Sequence, residues 1–102
     1  MAIGNEPQPL GIRGPIVPNP TNYPDIYYYT YGKVVFVCVK VTVNDNSTIT
    51  IPNFPIPMYY VTGRVFNDDG LVDVQITGKF NLYPKKNETH RIDISFCYLT
   101  RD

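Results

Sequence analysis

The residue types that most often perform acid–base or metal chemistry are scarce in this chain of 102 residues. His90 is the sole histidine, and the pattern places it in or beside a polar loop, where a solvated side chain is expected. Asp68 and Asp69 belong to the sequence NDDG, which is typical of a hairpin loop that uses aspartate for local hydrogen bonds. A calcium site would need further oxygen ligands at defined spacing. We therefore expect a protein that is not an enzyme and that holds no cofactor or metal.

The two cysteines, Cys38 and Cys97, occur without a CxxC motif. A zinc site takes about four ligands, which two cysteines and one histidine cannot supply. No sequence neighbour predicts an activated thiolate, so each cysteine is expected to be a small buried apolar residue in a strand. A disulfide between Cys38 and Cys97 is possible if their strands are neighbours, and a hyperthermophilic host would favour this bond.

Tyrosine is the most suggestive residue type, with nine in the chain and no tryptophan. Two clusters occur, IYYYTY at 26–31 and MYY at 58–60. Strand alternation can bury only some of these rings, and the others would expose aromatic surface with hydroxyl tips, a composition favoured at binding interfaces. The alternative is that they fill a small core that lacks leucine. The candidate residues for binding a peptide or protein are Tyr27, Tyr28, Tyr29, Tyr31, Tyr59 and Tyr60.

Charge composition bears on the class of partner. Nine basic and nine acidic residues give a formal net charge of zero, which argues against a general nucleic-acid binder. Stacking of single-stranded bases on tyrosines interleaved with Lys33, Arg64 and Lys79 is a weaker alternative. No apolar run is long enough to span a bilayer, and residues 1–10 lack the features of a signal peptide. We expect a soluble, non-secreted protein with a protein or peptide partner, in an oligomeric state that the sequence does not fix.

Strand patterns cover most of the chain from residue 25 onward. In VVFVCVKVTV, the valines at odd positions share one face and are expected to be core: Val35, Val37, Val39, Val41 and Val43. In the second half, alternation predicts strands over 58–66, 72–82 and 91–99, with VTGRVF and ITGKFN as facing strands of one hairpin. The last strand is expected to pair Ile92 with Leu82, and Gly78 would then make room for Tyr59 and Phe96.

These elements predict an all-β fold in one domain, residues 1–102. A shift of 39 residues places Val41 on Phe80, and a shift of 41 places Ile51 on Ile92, which is the pattern of an internal duplication. Two similar three-stranded antiparallel motifs, 25–56 and 57–102, would then pack face to face. The segment PNFPIP at 52–57 is expected to be an internal linker between them.

Residues 1–24 are predicted to form a Pro-rich extended tail. Six of the ten prolines lie there: Pro7, Pro9, Pro15, Pro18, Pro20 and Pro24. Proline at this density disfavours helix interiors and central strands. The first ten residues are a candidate disordered segment. Residues 12–18 either lie against the first motif as an edge segment or belong to a mobile tail.

A Tyr-, Val-, Ile- and Asn-rich β-chain with the run PDIYYYTYGKVVFVCVKVTV and no enzyme signature resembles small orphan proteins of filamentous viruses that infect hyperthermophilic, acidophilic archaea. The resemblance covers the whole chain. It implies a viral protein that resides in the host cytoplasm or in the virion, and it assigns no functional residue.

The sequence thus predicts a non-enzymatic protein–protein interaction module that binds a protein or an extended peptide in a Tyr-lined groove between its two motifs. Unpaired sheet edges support this hypothesis because they attract extended peptides by strand addition. Two alternatives stay open: a virion structural or assembly subunit, and a single-stranded nucleic-acid binder.

Overall fold

The structure is a computed structural model that describes residues 11–102 of the chain. Within these residues it contains eight strands and no helix, so the all-β prediction is confirmed. The predicted disorder of the first ten residues lies outside the described part. The strands are β1 (Arg13–Ile16), β2 (Ile26–Tyr31), β3 (Val34–Val43), β4 (Ile49–Ile51), β5 (Val61–Arg64), β6 (Leu71–Val74), β7 (Phe80–Tyr83) and β8 (His90–Leu99).

The strands form two antiparallel sheets of four strands each. Sheet A has the order β1-β2-β3-β8, and sheet B has the order β4-β7-β6-β5. Each sheet therefore combines three consecutive strands from one half of the chain with the last strand from the other half. The boundary expected near residue 56 does not separate the sheets, because β4 joins sheet B and β8 joins sheet A.

The partner of β8 explains this exchange. β8 pairs with β3 over ten consecutive residue pairs, so Ile92 lies opposite Val41, and its predicted pairing with Leu82 is wrong. Both strands are ten residues long and bury alternate residues on the same side. β7 has only four residues and could satisfy far fewer backbone groups of β8.

The exchange of the fourth strand is reciprocal, so both halves of the chain have the same strand order. Val41 lies opposite Ile92. The equivalent pair in sheet B is Phe80 and Ile51, which also lie opposite each other. Phe80 corresponds to Val41 by the shift of 39 residues, and Ile51 corresponds to Ile92 by the shift of 41. The two predicted shifts thus describe equivalent strand pairs, while the internal duplication itself stays a prediction.

One hydrophobic core lies between the sheets. The odd-numbered valines of β3 point inward as expected, and all except the half-buried Val41 are buried. Phe54, in the segment predicted to be a linker, is also part of this core and is 3% exposed. Its ring centroid lies 5.2 Å from those of both Tyr28 and Phe80, so it bridges the two sheets.

The segment predicted as one strand over 72–82 is instead β6, a turn and β7. Gln75 N–H donates to Lys79 O, and Gly78 N–H donates to Gln75 O, at 2.9 and 2.8 Å. Gly78 has φ of 83°, and a Cβ there would press on the carbonyl oxygen of Phe54. The predicted role of Gly78, making room for Tyr59 and Phe96, is therefore wrong. VTGRVF does face β6, with Val61 opposite Val74, but most of ITGKFN forms the turn.

β1 lies within the predicted Pro-rich tail. It pairs with β2 at one edge of sheet A. Of the two alternatives for residues 12–18, an edge segment or a mobile tail, the structure therefore shows the edge segment. All four of its residues are exposed, and the Gly14–Pro15 peptide is cis. An edge position accommodates Pro15 because one side of the strand has no partner to satisfy.

Candidate functional site

The six candidate tyrosines lie in three different places. Tyr28 points into the core and is 9% exposed. The other tyrosines of β2 point to the outer face of sheet A, because side chains alternate along a strand. Tyr59 and Tyr60 lie between Pro57 and β5, and are 76% and 56% exposed. The structure therefore does not gather all six candidates in one groove.

A groove lies where the free edge of sheet A approaches the free edge of sheet B. β8 ends sheet A and β5 ends sheet B, and no strand of residues 11–102 pairs with either edge. The groove between them has a volume of about 330 Å³. Its lining comprises Val61, Thr62, Gly63, Arg64, Phe66, Val72, Asp93, Ile94, Ser95, Phe96 and Cys97.

The free edge of β8 is capped at both ends and open in the middle. At one end Met58 N–H donates to Leu99 O at 2.8 Å. At the other end Asn67 Nδ2 donates to Arg91 O at 2.9 Å. Because backbone groups alternate in direction along an antiparallel strand, the odd residues between these caps also point their N–H and C=O into the groove. Within residues 11–102, no backbone partner meets this open stretch, which runs from Asp93 to Cys97.

The β5 edge faces the same groove with a shorter open stretch. Val65 N–H donates to Gly70 O at 2.8 Å, which directs Val65 toward β6. By the same alternation, Thr62 and Arg64 direct their backbone groups away from β6 and into the groove. The groove thus has hydrogen-bonding backbone along both sides.

The side chains of the groove combine an apolar lining with charges of opposite sign. Ile94 and Phe96 are half-buried in its wall. Phe66 stands at the rim and is 94% exposed. Arg64 and Asp93 both line the groove, and Arg91 Nε lies 3.0 Å from Asp93 Oδ2. Such a surface suits an extended segment with alternating apolar and polar side chains.

A second depression of about 370 Å³ continues the groove beyond Cys97. It shares Val61, Thr62 and Cys97 with the groove and adds Tyr59 and Tyr60. These two residues are therefore the candidate tyrosines that border the groove.

A polar network on sheet B holds the hydroxyl of Tyr60. It donates to Asp73 Oδ2 at 2.7 Å, and Tyr83 OH donates to the same atom at 3.1 Å. Asn81 Nδ2 donates to Asp73 Oδ1 at 2.6 Å, because β6 places Asp73 directly opposite Asn81. The hydrogen bond to Asp73, with burial and nearby negative charge, raises the pKa of Tyr60. Asp73 is 7% exposed, and its carboxylate is an anchor that sequence patterns did not identify.

Asp68 and His90 also differ from expectation, because Asp68 was predicted to make local hydrogen bonds in a hairpin loop and His90 to be solvated, whereas the two side chains pair with each other. Asp68 is 3% exposed, and its Oδ1 accepts hydrogen bonds from the N–H groups of Lys85 and Lys86 at 2.7 and 2.9 Å. Its Oδ2 pairs with His90 Nε2. His90 Nδ1 lies 2.8 Å from the carbonyl oxygen of Glu88. Both ring nitrogens therefore face acceptors, which favours the doubly protonated imidazolium and leaves no free nitrogen for a general base.

The pKa values of this pair shift in opposite directions. Burial alone would raise the pKa of Asp68, but hydrogen bonds from His90 and the two lysine amides outweigh burial and hold this pKa below its ordinary value. The Glu88 carbonyl and the Asp68 carboxylate raise the pKa of His90. The pair joins the loop after β5 to the start of β8, and it adjoins the Asn67 cap of the groove.

The cysteines are free and lie on the outer face of sheet A. Cys38 faces Ser95 across the strands, and Cys97 faces Phe36, so the two thiols are offset by two residues. Among residues 11–102, no three His, Cys, Asp or Glu side chains are grouped to hold a metal ion. The same residues include no helix with the length and apolarity needed to cross a membrane.

Comparisons of the chain with protein-family models, with curated proteins and with solved structures find no match.

Proposed function

We propose that the protein is a non-enzymatic protein–protein interaction module that holds an extended peptide segment in the groove between β5 and β8. One observation carries this proposal: the edge of β8 is open from Asp93 to Cys97 but capped on both sides of that stretch. Unpaired backbone groups of an edge strand template the addition of another strand.

An added strand gains affinity and specificity from different parts of the groove. Backbone hydrogen bonds to β8 give affinity for any extended segment. Alternate side chains of the bound segment would pack on Ile94 and Phe96, which gives a preference for apolar residues at every second position. Phe66 and Tyr59 supply large exposed rings at either side of the groove, a composition typical of interface anchors.

The two alternative functions have less support. The cations considered for base stacking are dispersed, with Arg64 in the groove, Lys33 in the β2–β3 turn and Lys79 in the β6–β7 turn. The outer tyrosines of β2 therefore lack the interleaved positive charge that single-strand binding uses. A virion assembly role and a viral origin stay predictions from the sequence resemblance.

The experiment is a selection of peptides from a random display library, followed by affinity measurements on two variants. Ser95→Pro removes the N–H that faces the groove and adds a ring at the strand edge, while the groups that pair with β3 belong to neighbouring residues. Ser95→Ala is the matched control. We expect selected peptides to bind at least about tenfold more weakly to Ser95→Pro, a loss of about 1.4 kcal/mol, and to bind Ser95→Ala normally.

Far-UV circular dichroism first establishes that both variants fold. Selected peptides that bind folded Ser95→Pro as tightly as Ser95→Ala would contradict strand addition at β8. A library that yields no binder would contradict peptide capture altogether.

A further inference from the structure

A second cleft, here called the hydroxyl cleft, lies between the inner face of β2 and the segment 52–56. Its volume is about 740 Å³, within the range of about 300–1,000 Å³ that small-molecule sites occupy. It shares no lining residue with the groove between β5 and β8. The residues that matter for its chemistry are Tyr28, Thr30, Ile56, Thr77, Lys79 and Asp102.

The segment that forms one wall of the hydroxyl cleft is held in place by hydrogen bonds at both of its ends. Phe54 N–H donates to Gly78 O at 2.9 Å, which ties the segment to the β6–β7 turn. Ile56 N–H donates to Asp102 Oδ2 at 2.9 Å, and Ile56 O accepts a hydrogen bond from Thr100 Oγ1 at 2.6 Å. The wall is therefore built without a ligand, as is usual for small-molecule sites.

The hydroxyl of Tyr28 points to a ligand in this cleft. Tyr28 is 9% exposed, and its hydroxyl makes no hydrogen bond to another residue of 11–102. Among these residues every fully buried side-chain nitrogen or oxygen has a partner, so the Tyr28 oxygen is reached from the cleft that this residue lines. Tyr98, which is 7% exposed, instead donates to Pro55 O, and buried tyrosines usually find such a partner. Burial and the negative charge of Asp102 raise the pKa of Tyr28, so its hydroxyl keeps its proton.

Donors and acceptors of several kinds line the hydroxyl cleft. Thr30 and Thr77 add hydroxyl groups, which both donate and accept. Lys79 supplies an ammonium group that only donates, and the side chain of Asp102 supplies a carboxylate that only accepts. Neither charged side chain belongs to an ion pair within the described part of the chain. Polar groups of both kinds are thus free to contact a ligand.

We infer that the hydroxyl cleft binds a small uncharged polyhydroxy ligand of the size of a mono- or disaccharide. An anion would meet the Asp102 carboxylate. A cation would meet Lys79, and also Lys33, whose Nζ lies 2.6 Å from the backbone oxygen of Asp102. Sugar hydroxyls are repelled by neither charge, because each one donates to Asp102 or accepts from Lys79 and Tyr28. Ile56 adds an apolar wall for the C–H face of a sugar ring.

The test is a ligand screen by saturation-transfer NMR and by amide chemical shifts of the full chain. The probes are glucose, mannose, galactose, maltose and trehalose, with glycine and inorganic phosphate as the charged comparisons. We expect at least one sugar to bind with a dissociation constant of roughly 0.1–10 mM, the range usual for so small a ligand. Its amide shifts should map to residues 28–32, 52–56 and 77–79.

Three variants remove single polar groups from the hydroxyl cleft: Tyr28→Phe, Lys79→Met and Asp102→Asn. Each should bind the sugar at least about tenfold more weakly. Lys85→Met is the matched control, because Lys85 is exposed in the loop after β7 and does not line the cleft. Tyr28→Phe should leave the thermal midpoint unchanged, since its hydroxyl has no hydrogen bond to lose within residues 11–102. This readout separates a role in binding from a role in folding.

Several results would overturn the inference. One is a panel in which no sugar binds at about 50 mM. Another is a cleft that takes glycine or phosphate in preference to every sugar, because the ligand would then be a zwitterion or an anion. Sugar binding that survives in Tyr28→Phe, or that weakens equally in Lys85→Met, would place the ligand elsewhere. Peptides selected on the groove should bind Tyr28→Phe as they bind the wild type.

Discussion

Phe54 gives the sharpest test of how the two sheets are joined. Its ring is buried between Tyr28 and Phe80, although it lies in the segment 52–57, which contains three prolines. Phe54→Ala would remove about 150 Å² of buried apolar surface. At about 25 cal/mol per Å² this corresponds to a loss of about 4 kcal/mol, within the usual range of about 3–5 kcal/mol for such a truncation.

The free energy of unfolding is measured by urea titration followed by far-UV circular dichroism, since the chain has no tryptophan. A domain of this size has a total stability of about 5–15 kcal/mol, so Phe54→Ala should lower the thermal midpoint by roughly 15–30 °C. Phe66→Ala is the control, because Phe66 is 94% exposed and its removal should cost less than about 0.5 kcal/mol. A loss below about 1 kcal/mol for Phe54→Ala would refute the packing of this ring between the sheets.

Three further predictions concern hydrogen bonds and backbone conformation. Because the pKa of Asp68 is lowered in the folded protein, stability should decline as the pH falls through that pKa, and because the pKa of His90 is raised, stability should also decline as the pH rises through the pKa of His90. The thermal midpoint should therefore be highest between about pH 4 and 6.5. His90→Asn should remove the decline on the alkaline side, and an unchanged pH profile in this variant would exclude the ion pair. Gly78→Ala should lower the free energy of unfolding, measured by urea titration, by about 1–3 kcal/mol, because φ at this residue is 83°. The control is Gly63→Ala, which should cost less because its Cβ would meet Val72 Cγ1 at an ordinary contact distance of 3.4 Å. Equal losses in the two variants would contradict a strained turn at Gly78. Tyr98→Phe removes a 2.7 Å hydrogen bond to Pro55 O and should cost about 1 kcal/mol in the free energy of unfolding. Burial raises the pKa of Tyr98, so spectrophotometric titration of the folded wild type should show a tyrosine that ionises at higher pH than in the unfolded chain and that is missing from Tyr98→Phe.

Alternation along single strands was predictable from the sequence. The odd valines of β3 point inward because a two-residue period with apolar residues on one side fixes the face that is buried. The strand with which β8 pairs was not predictable in the same way, because the apolar face of β8 could be buried beside either β7 or β3. Only the match in length with β3, over ten residue pairs, selects the observed partner. The hidden turn at Gly78 escaped detection because apolar residues continue to alternate through it.

The candidate site was predictable only in part. The pattern identified Tyr59 and Tyr60, which border the groove, and a groove between two packed β-layers was the expected place. Tyr28 could not be separated from its neighbours until the face of β2 was known, and it belongs to the core. The burial of Asp68 and Asp73 depends on donors from distant segments, such as the amide of Lys85 and the side chain of Tyr60, which no local pattern reveals.

Amide hydrogen exchange along β8 tests the open edge most directly. In the free protein, the amides of Asp93, Ser95 and Cys97 should exchange quickly, while those of Ile94 and Phe96, which face β3, should be protected. Addition of a selected peptide should protect the three exposed amides and leave the other two unchanged. Equal protection of all five amides in the free protein would contradict the unpaired edge, and exchange that a bound peptide does not slow would contradict strand addition.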